Sequence, residues 1–233
     1  MFQKISFITL FILFSFTLIG QDLTKDFEEI ISKMETSKSV SIQVNVKMYG
    51  SKGGSLIYTS HASVDKMGED YINVLSEMVF ISTNDYSLKI DHEEKAVLII
   101  NKKNIETPKD EEKISEYDVK RLRDFLITNQ NKVIYTISLL SNSSGIKTYS
   151  ISGVRGMKEM LITLDMNNKT IKKVCYEYDS RESNSRYIEL EYHKFIYDVN
   201  LSQKFDLSSY FRIENNKYVL STALQGYNLY TEE

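Results

Sequence analysis

Tryptophan is absent, and cysteine and proline occur once each, as Cys175 and Pro108. A lone cysteine excludes an internal disulfide, so the packing of apolar side chains must hold the fold. Cys175 lies in the strand-like run Val174-Cys175-Tyr176, where a buried, inert thiol is expected rather than a nucleophile. The three histidines, His61, His92 and His193, fall in different elements without metal-ligand spacing. Asp91-His-Glu-Glu94 has the donors of a cation site, but its place between two apolar runs makes it a charged hairpin turn. No Gly-x-Ser-x-Gly is present, no Ser, His and Asp arrangement follows from spacing, and the carboxylates are too dispersed to name a glycosidase pair. These absences point away from an enzyme, and no catalytic residue, metal or cofactor is expected. The glycine cluster Gly50-Ser-Lys-Gly-Gly54 lacks the Gly-Lys-Ser/Thr ending and the following helix of a phosphate loop, and is read as a turn.

A net positive charge is also lacking. Lysine and arginine number 29 against 32 acidic residues, a formal charge of -3, which does not support nucleic-acid binding. The 16 tyrosines fit strand propensity and half-buried packing better than carbohydrate stacking.

What the chain does have is an apolar start. Lys4 is followed by the run Ile5 to Ile19, too short and too near the N-terminus for an ordinary spanning helix, and residues 1-20 are expected to be a secretory signal cleaved after Gly20. Residues 21-233 then form one domain of roughly 210 residues, long enough to bury about 70% of its unfolded surface. Leu23, Phe27, Ile30, Ile31 and Met34 recur at helical spacing, with Asp26, Glu28, Glu29, Lys33 and Glu35 elsewhere. In Ser39 to Tyr49 the apolar residues Val40, Ile42, Val44, Val46 and Met48 alternate with Ser41, Gln43, Asn45 and Lys47, a strand with one dry face. Leu56 and Tyr58 continue the pattern after the glycine turn. Short strands are expected at Tyr71 to Leu75, Met78 to Ser82, Tyr86 to Asp91 and Ala96 to Asn101, then a polar stretch from Lys102 to Tyr117 and a second amphipathic helix marked by Val119, Leu122, Phe125 and Leu126. Strands resume at Val133 to Leu140, Ile146 to Ser152, Lys158 to Asp165, Thr170 to Tyr178 and Arg186 to Val199. The phase change within the last of these predicts a bulge near His193 or Lys194. The tail holds a short turn or helix around Phe205 to Phe211 and one more extended segment, Lys217 to Tyr230.

About eleven strands, two helices and mostly hairpin-length connections predict a mainly β protein of the α+β class, a single curved antiparallel half-barrel sheet wrapping two amphipathic helices. This order of elements resembles the periplasmic lipoprotein-carrier family, the LolA-like fold. The block Gly68-Glu-Asp-Tyr-Ile72, Phe80-Ile-Ser82, Tyr86 and Lys95-Ala-Val-Leu98 is similar to a stretch of that family. So are Leu161-Ile-Thr-Leu-Asp165, Asn168-Lys-Thr170, Lys173-Val174, and the ending Phe195, Phe205-Asp-Leu207 and Phe211. Dedicated carriers have an arginine on an early strand that bonds to the lid; here that strand offers Lys47 on its polar face.

The resemblance implies an apolar cavity under a helical lid, holding a lipid or the acyl chains of a lipoprotein in the Gram-negative periplasm. Its lining candidates are Val40, Ile42, Val44, Val46, Met48, Leu56 and Tyr58; its lid candidates are Phe27, Ile30, Met34, Leu122, Phe125 and Leu126. A carrier or chaperone role in protein transport to the outer membrane would follow, with peripheral membrane contact only. Each buried methylene is worth about 0.8 kcal/mol, so one acyl chain would supply on the order of 10 kcal/mol. The alternative is a non-catalytic envelope structural or interaction protein in which the same residues fill a closed core and envelope proteins are the partners.

Overall fold

The computed structural model describes residues 22-103, 135-179 and 187-232. The expected signal, the Lys102 to Tyr117 stretch beyond residue 103, and the second helix with Leu122, Phe125 and Leu126 lie outside the described residues. One α-helix, α1, covers residues 22-36. Fourteen strands follow among the described residues: β1 (Ser39–Tyr49), β2 (Leu56–Met67), β3 (Asp70–Leu75), β4 (Met78–Ser82), β5 (Tyr86–Asp91), β6 (Ala96–Asn101), β7 (Thr136–Ser143), β8 (Ile146–Ser152), β9 (Met157–Asp165), β10 (Thr170–Tyr178), β11 (Tyr187–Tyr197), β12 (Phe211–Glu214), β13 (Lys217–Leu220) and β14 (Asn228–Glu232).

Twelve strands form one unclosed sheet in the order β14-β6-β5-β4-β3-β2-β1-β11-β10-β9-β8-β7, and β12 pairs with β13 in a separate hairpin. The expectation of about eleven strands, all antiparallel, is corrected at the C-terminus. Lys217 to Tyr230 is not one extended segment: β13 ends at Leu220, a 3-10 turn spans Thr222–Leu224, and β14 pairs with β6 in parallel, Asn228 against Ala96 through Glu232 against Ile100. A parallel partner more than a hundred residues away leaves no mark in local periodicity. The phase change expected near His193 falls within a strand unbroken from Tyr187 to Tyr197.

The hairpins follow from their turn residues. Ser143 pairs with Ile146, leaving Ser144 and Gly145 as a two-residue loop at φ 51° and 78°, the left-handed pair a type I′ turn requires. At the charged turn after β5, the Asp91 carboxylate accepts from the backbone N–H groups of Glu93 and Glu94, which gives that acid a structural task.

The chain divides into two compact units. Among the described residues, 22-36, Asn45–Thr59, 135-179 and 187-192 belong to the first, and Ser37–Val44, 60-103 and 193-232 to the second. In the first, the core holds Leu23, Phe27, Ile30 and Ile31 of α1 with Tyr149, Ile151, Ile162, Leu164, Ile171 and Val174 of the strands. In the second, Ile72, Ile81, Leu88, Ile90, Val97 and Ile99 form one cluster with Leu201, Phe205, Phe211 and Leu224 of the C-terminal segment.

Candidate functional site: a half-buried apolar sheet face

Residues directly opposite each other on neighbouring strands point to the same face, so the register of the second unit sorts its side chains into two sets. One set runs Asp65, Ile72, Ile81, Leu88 and Ile99 across β2 to β6, with Val74, Val79, Ile90 and Val97 alongside. The C-terminal segment covers this face; Ile81, Ile90, Val97 and Ile99 are almost wholly buried. Lys204 reaches back from that segment to the buried Asp65 at 2.5 Å.

The other face carries the row Val64, Asn73, Phe80, Lys89, Leu98 and Tyr230. Its apolar members Val64, Phe80 and Leu98 are only half-buried, as are Met78 and Ile100 beside them, and Leu75 is 49% exposed. None of these belongs to the core cluster. Two polar residues are the deepest on the face. Ser82 accepts from the Lys102 ammonium at 2.6 Å, whereas Asn73, 7% exposed, has neither its amide nitrogen nor its oxygen hydrogen-bonded. Lys89 holds its ammonium 5.9 Å from the centre of the Phe80 ring. At the β14 end the face opens into a shallow recess of about 540 Å³ lined by Lys89, Asp91, Ala96, Leu98 and Tyr230. The surface can hold an extended apolar occupant; it brings together no groups for bond-making chemistry.

The first unit is arranged differently. Leu23, Asp26, Phe27, Ile30 and Ile31 share the docking side of α1. Asp26, expected among the polar positions, is corrected: it is buried, and its carboxylate accepts from Tyr149 Oη at 2.6 Å and Lys147 Nζ at 2.8 Å. Helical position alone marks Asp26 as a neighbour of Leu23, Phe27 and Ile30, but its charge argues for water until a buried phenol and ammonium are known to meet it. Burial, followed by the Asp26 contact, raises the Tyr149 hydroxyl far above its ordinary value. Glu29 pairs with Lys169 in the β9–β10 turn.

The opposite face of the first unit is a lattice of ion pairs. Lys47 meets Glu191 at 2.7 Å, Lys173 meets Glu189 at 2.6 Å, and Lys52 meets Glu159 at 3.2 Å. The Lys47 hydrogen bond holds the Glu191 carboxyl below its ordinary value. Cys175 is buried on this face, and desolvation pushes its thiol up.

The lining candidates are spread over both units. Val40 and Ile42 are buried, Val44, Val46 and Met48 half-buried, and Leu56 and Tyr58 about half exposed. Val40, Ile42 and Val44 belong to the second unit, the other four to the first. Of the lid candidates, Phe27 and Ile30 are fully buried in the first unit and Met34 is half-buried. Met78, Phe80, Leu98 and Ile100 were not among the lining candidates. Their signal is present in the sequence: Met78-Val-Phe-Ile81 and Ala96-Val-Leu-Ile-Ile100 are unbroken apolar runs, and a strand apolar at every position presents apolar side chains on both faces.

His92 Nδ1 lies 2.9 Å from Tyr227 Oη and His193 Nε2 lies 3.2 Å from Gln43 Oε1. Among the described residues no group of three His, Cys, Asp or Glu could hold a metal, and no helix is long and apolar enough to cross a membrane.

No family model matches the chain, and no curated protein matches it. Among solved structures it is similar to an uncharacterized conserved protein from Thermus thermophilus, with a TM-score of 0.45 and 7% identity over 88% of this chain and 98% of that one. It is similar to a putative outer membrane lipoprotein-sorting protein domain from Vibrio parahaemolyticus, TM-score 0.33, 10% identity, 79% and 96% covered. It is similar also to LprF from Mycobacterium bovis, TM-score 0.36, 12% identity, 75% and 93% covered. At these scores the likenesses carry no argument about function.

Proposed function

We propose that this is an exported, non-catalytic binding protein that holds a lipid, or the acyl chains of a lipoprotein, against an apolar sheet face in the periplasm. The observation that carries the reading is the half-buried row Val64, Phe80 and Leu98, which lies outside the core that fills the other side of the same strands. A soluble sheet with one face already packed ordinarily turns polar residues to water on the other; an apolar second face is a docking surface for something apolar. An acyl chain laid on such a face exchanges between apolar surroundings, so net affinity is a small difference and release is feasible, as a carrier needs. The sequence resemblance supplies a carrier role toward the outer membrane for such an apolar face.

The test is mass spectrometry of organic extracts from protein purified without detergent, beside Phe80→Asp, which places a carboxylate next to Lys89 on the half-buried face and leaves the packed face untouched. Stoichiometric lipid in the native protein and its loss from folded Phe80→Asp are expected. Lipid-free native protein, or equal lipid in both, overturns the reading.

The second reading, an envelope interaction protein, is favoured by Leu56, Ile57 and Tyr58, three consecutive large side chains 52%, 58% and 48% exposed. Lipid-free, cooperatively folding protein shifts the weight there.

A further inference from the structure

We propose that Asn73 is the polar anchor of the half-buried face and selects an acyl chain whose carbonyl belongs to an amide over one whose carbonyl belongs to an ester. This rests on the acyl-binding reading above and adds the chemistry of the ligand's head group. Asn73 is more than nine-tenths buried, yet both ends of its carboxamide lack a partner. Its cross-strand neighbours on that face, Val64 and Phe80, offer no hydrogen bond. The buried Asp65 of the packed face differs, since Lys204 meets one of its oxygens. A buried donor and acceptor left unmet are costly, and native folds meet nearly all such groups with protein, water or ligand.

A carboxamide sets an N–H donor and a C=O acceptor side by side. An acyl amide brings the complementary set, a carbonyl for Asn73 Nδ2 and an N–H for Asn73 Oδ1; a primary amide closes both bonds at once. An ester of the same chain only accepts and leaves Asn73 Oδ1 unmet among apolar neighbours. An anionic head is drawn instead to Lys89, the exposed cation on the same row. A site built around paired donor and acceptor groups discriminates strongly against an analogue lacking one of them.

The experiment uses the delipidated full chain and a dansyl-labelled fatty acid as fluorescent reporter, displaced by oleamide, N-methyloleamide and methyl oleate. Oleamide is expected to displace at a concentration about tenfold below methyl oleate. The ratio should fall to near one in Asn73→Leu, with Asn73→Ala as a smaller replacement that cannot overpack. N-methyloleamide matching oleamide identifies an N-acylated chain end as the ligand class; N-methyloleamide matching methyl oleate identifies a primary amide. Equal displacement by oleamide and methyl oleate in the native protein overturns the proposal, as does a ratio that survives in both Asn73 variants. A reporter that never binds the native protein overturns the acyl-binding reading and this inference with it, which separates that failure from a wrong head group.

Discussion

The two units use their second faces in opposite ways. Each has one packed face: α1 lies on the first, keyed by Asp26 to Tyr149 and Lys147, and the C-terminal segment covers the second through Phe205, Phe211 and Leu224. In the first unit the other face is an ion-pair lattice of Lys47, Lys52 and Lys173 with Glu159, Glu189 and Glu191. In the second it is Val64, Phe80 and Leu98 around an unpartnered amide. The lattice satisfies its own groups and needs only water, whereas the apolar face forgoes burial and leaves a polar group unmet. A fold pays that price where an occupant restores both, and the difference points to the second unit for binding.

Neighbouring residues on β4 test this most strongly, because Phe80 and Ile81 point to opposite faces. Ile81→Ala should cost about 2–5 kcal/mol in urea denaturation, as a deletion in a filled core does. Phe80→Ala, a larger truncation, should cost less, about 1–2 kcal/mol in delipidated protein, since a half-buried ring returns less area to water and leaves no closed cavity. Equal losses would mean that the Phe80 side is as filled as the Ile81 side, and the contrast between the units would vanish.

The next effect concerns what fixes the packed face of the first unit. Asp26→Ala should destabilise by about 3 kcal/mol, because it strands the buried Tyr149 hydroxyl and leaves Lys147 without its partner. Tyr149→Phe, which removes the hydroxyl and leaves Asp26 its contact with Lys147, should cost about 1 kcal/mol by the same measurement. A negligible loss in Asp26→Ala would show that the apolar stripe alone sets how α1 docks.

The same pair of faces shows what a sequence discloses. Alternation in β1 and the stripe Leu23, Phe27, Ile30 are strong local patterns, and the elements formed where they were expected. The turn Ser144-Gly145 carries a local mark as well, since glycine and a small polar residue suit left-handed backbone. The parallel pairing of β14 with β6 carries none, because non-local partners are chosen by the whole sheet. Asn73 illustrates the limit most sharply. In Tyr71-Ile-Asn-Val-Leu75 it reads as the polar member of an alternating strand facing water, and only the register, which sets it between Val64 and Phe80, shows an amide buried on an apolar face. Asp26 was misplaced for the same reason: an acid is assigned to solvent until its partners are known.

The smallest effect should come from the lattice. Lys47→Ala removes two solvent-screened pairs, with Glu191 and Glu189, and should lower the thermal midpoint by no more than about 2 °C, less still in high salt. The hydrogen bond from Lys47 depresses the Glu191 carboxyl in the folded state, so its contribution is fully present above the ordinary glutamate value and is lost as pH falls through the depressed one. The gap between native protein and Lys47→Ala should therefore be visible at pH 7 and close as acid protonates Glu191, followed by thermal denaturation across pH 7 to 3. A gap that persists once Glu191 has protonated would mean that the aliphatic stem of Lys47, not its charge, does the packing. The outer face of the first unit would then be partly apolar too, and the contrast with the second unit correspondingly weaker.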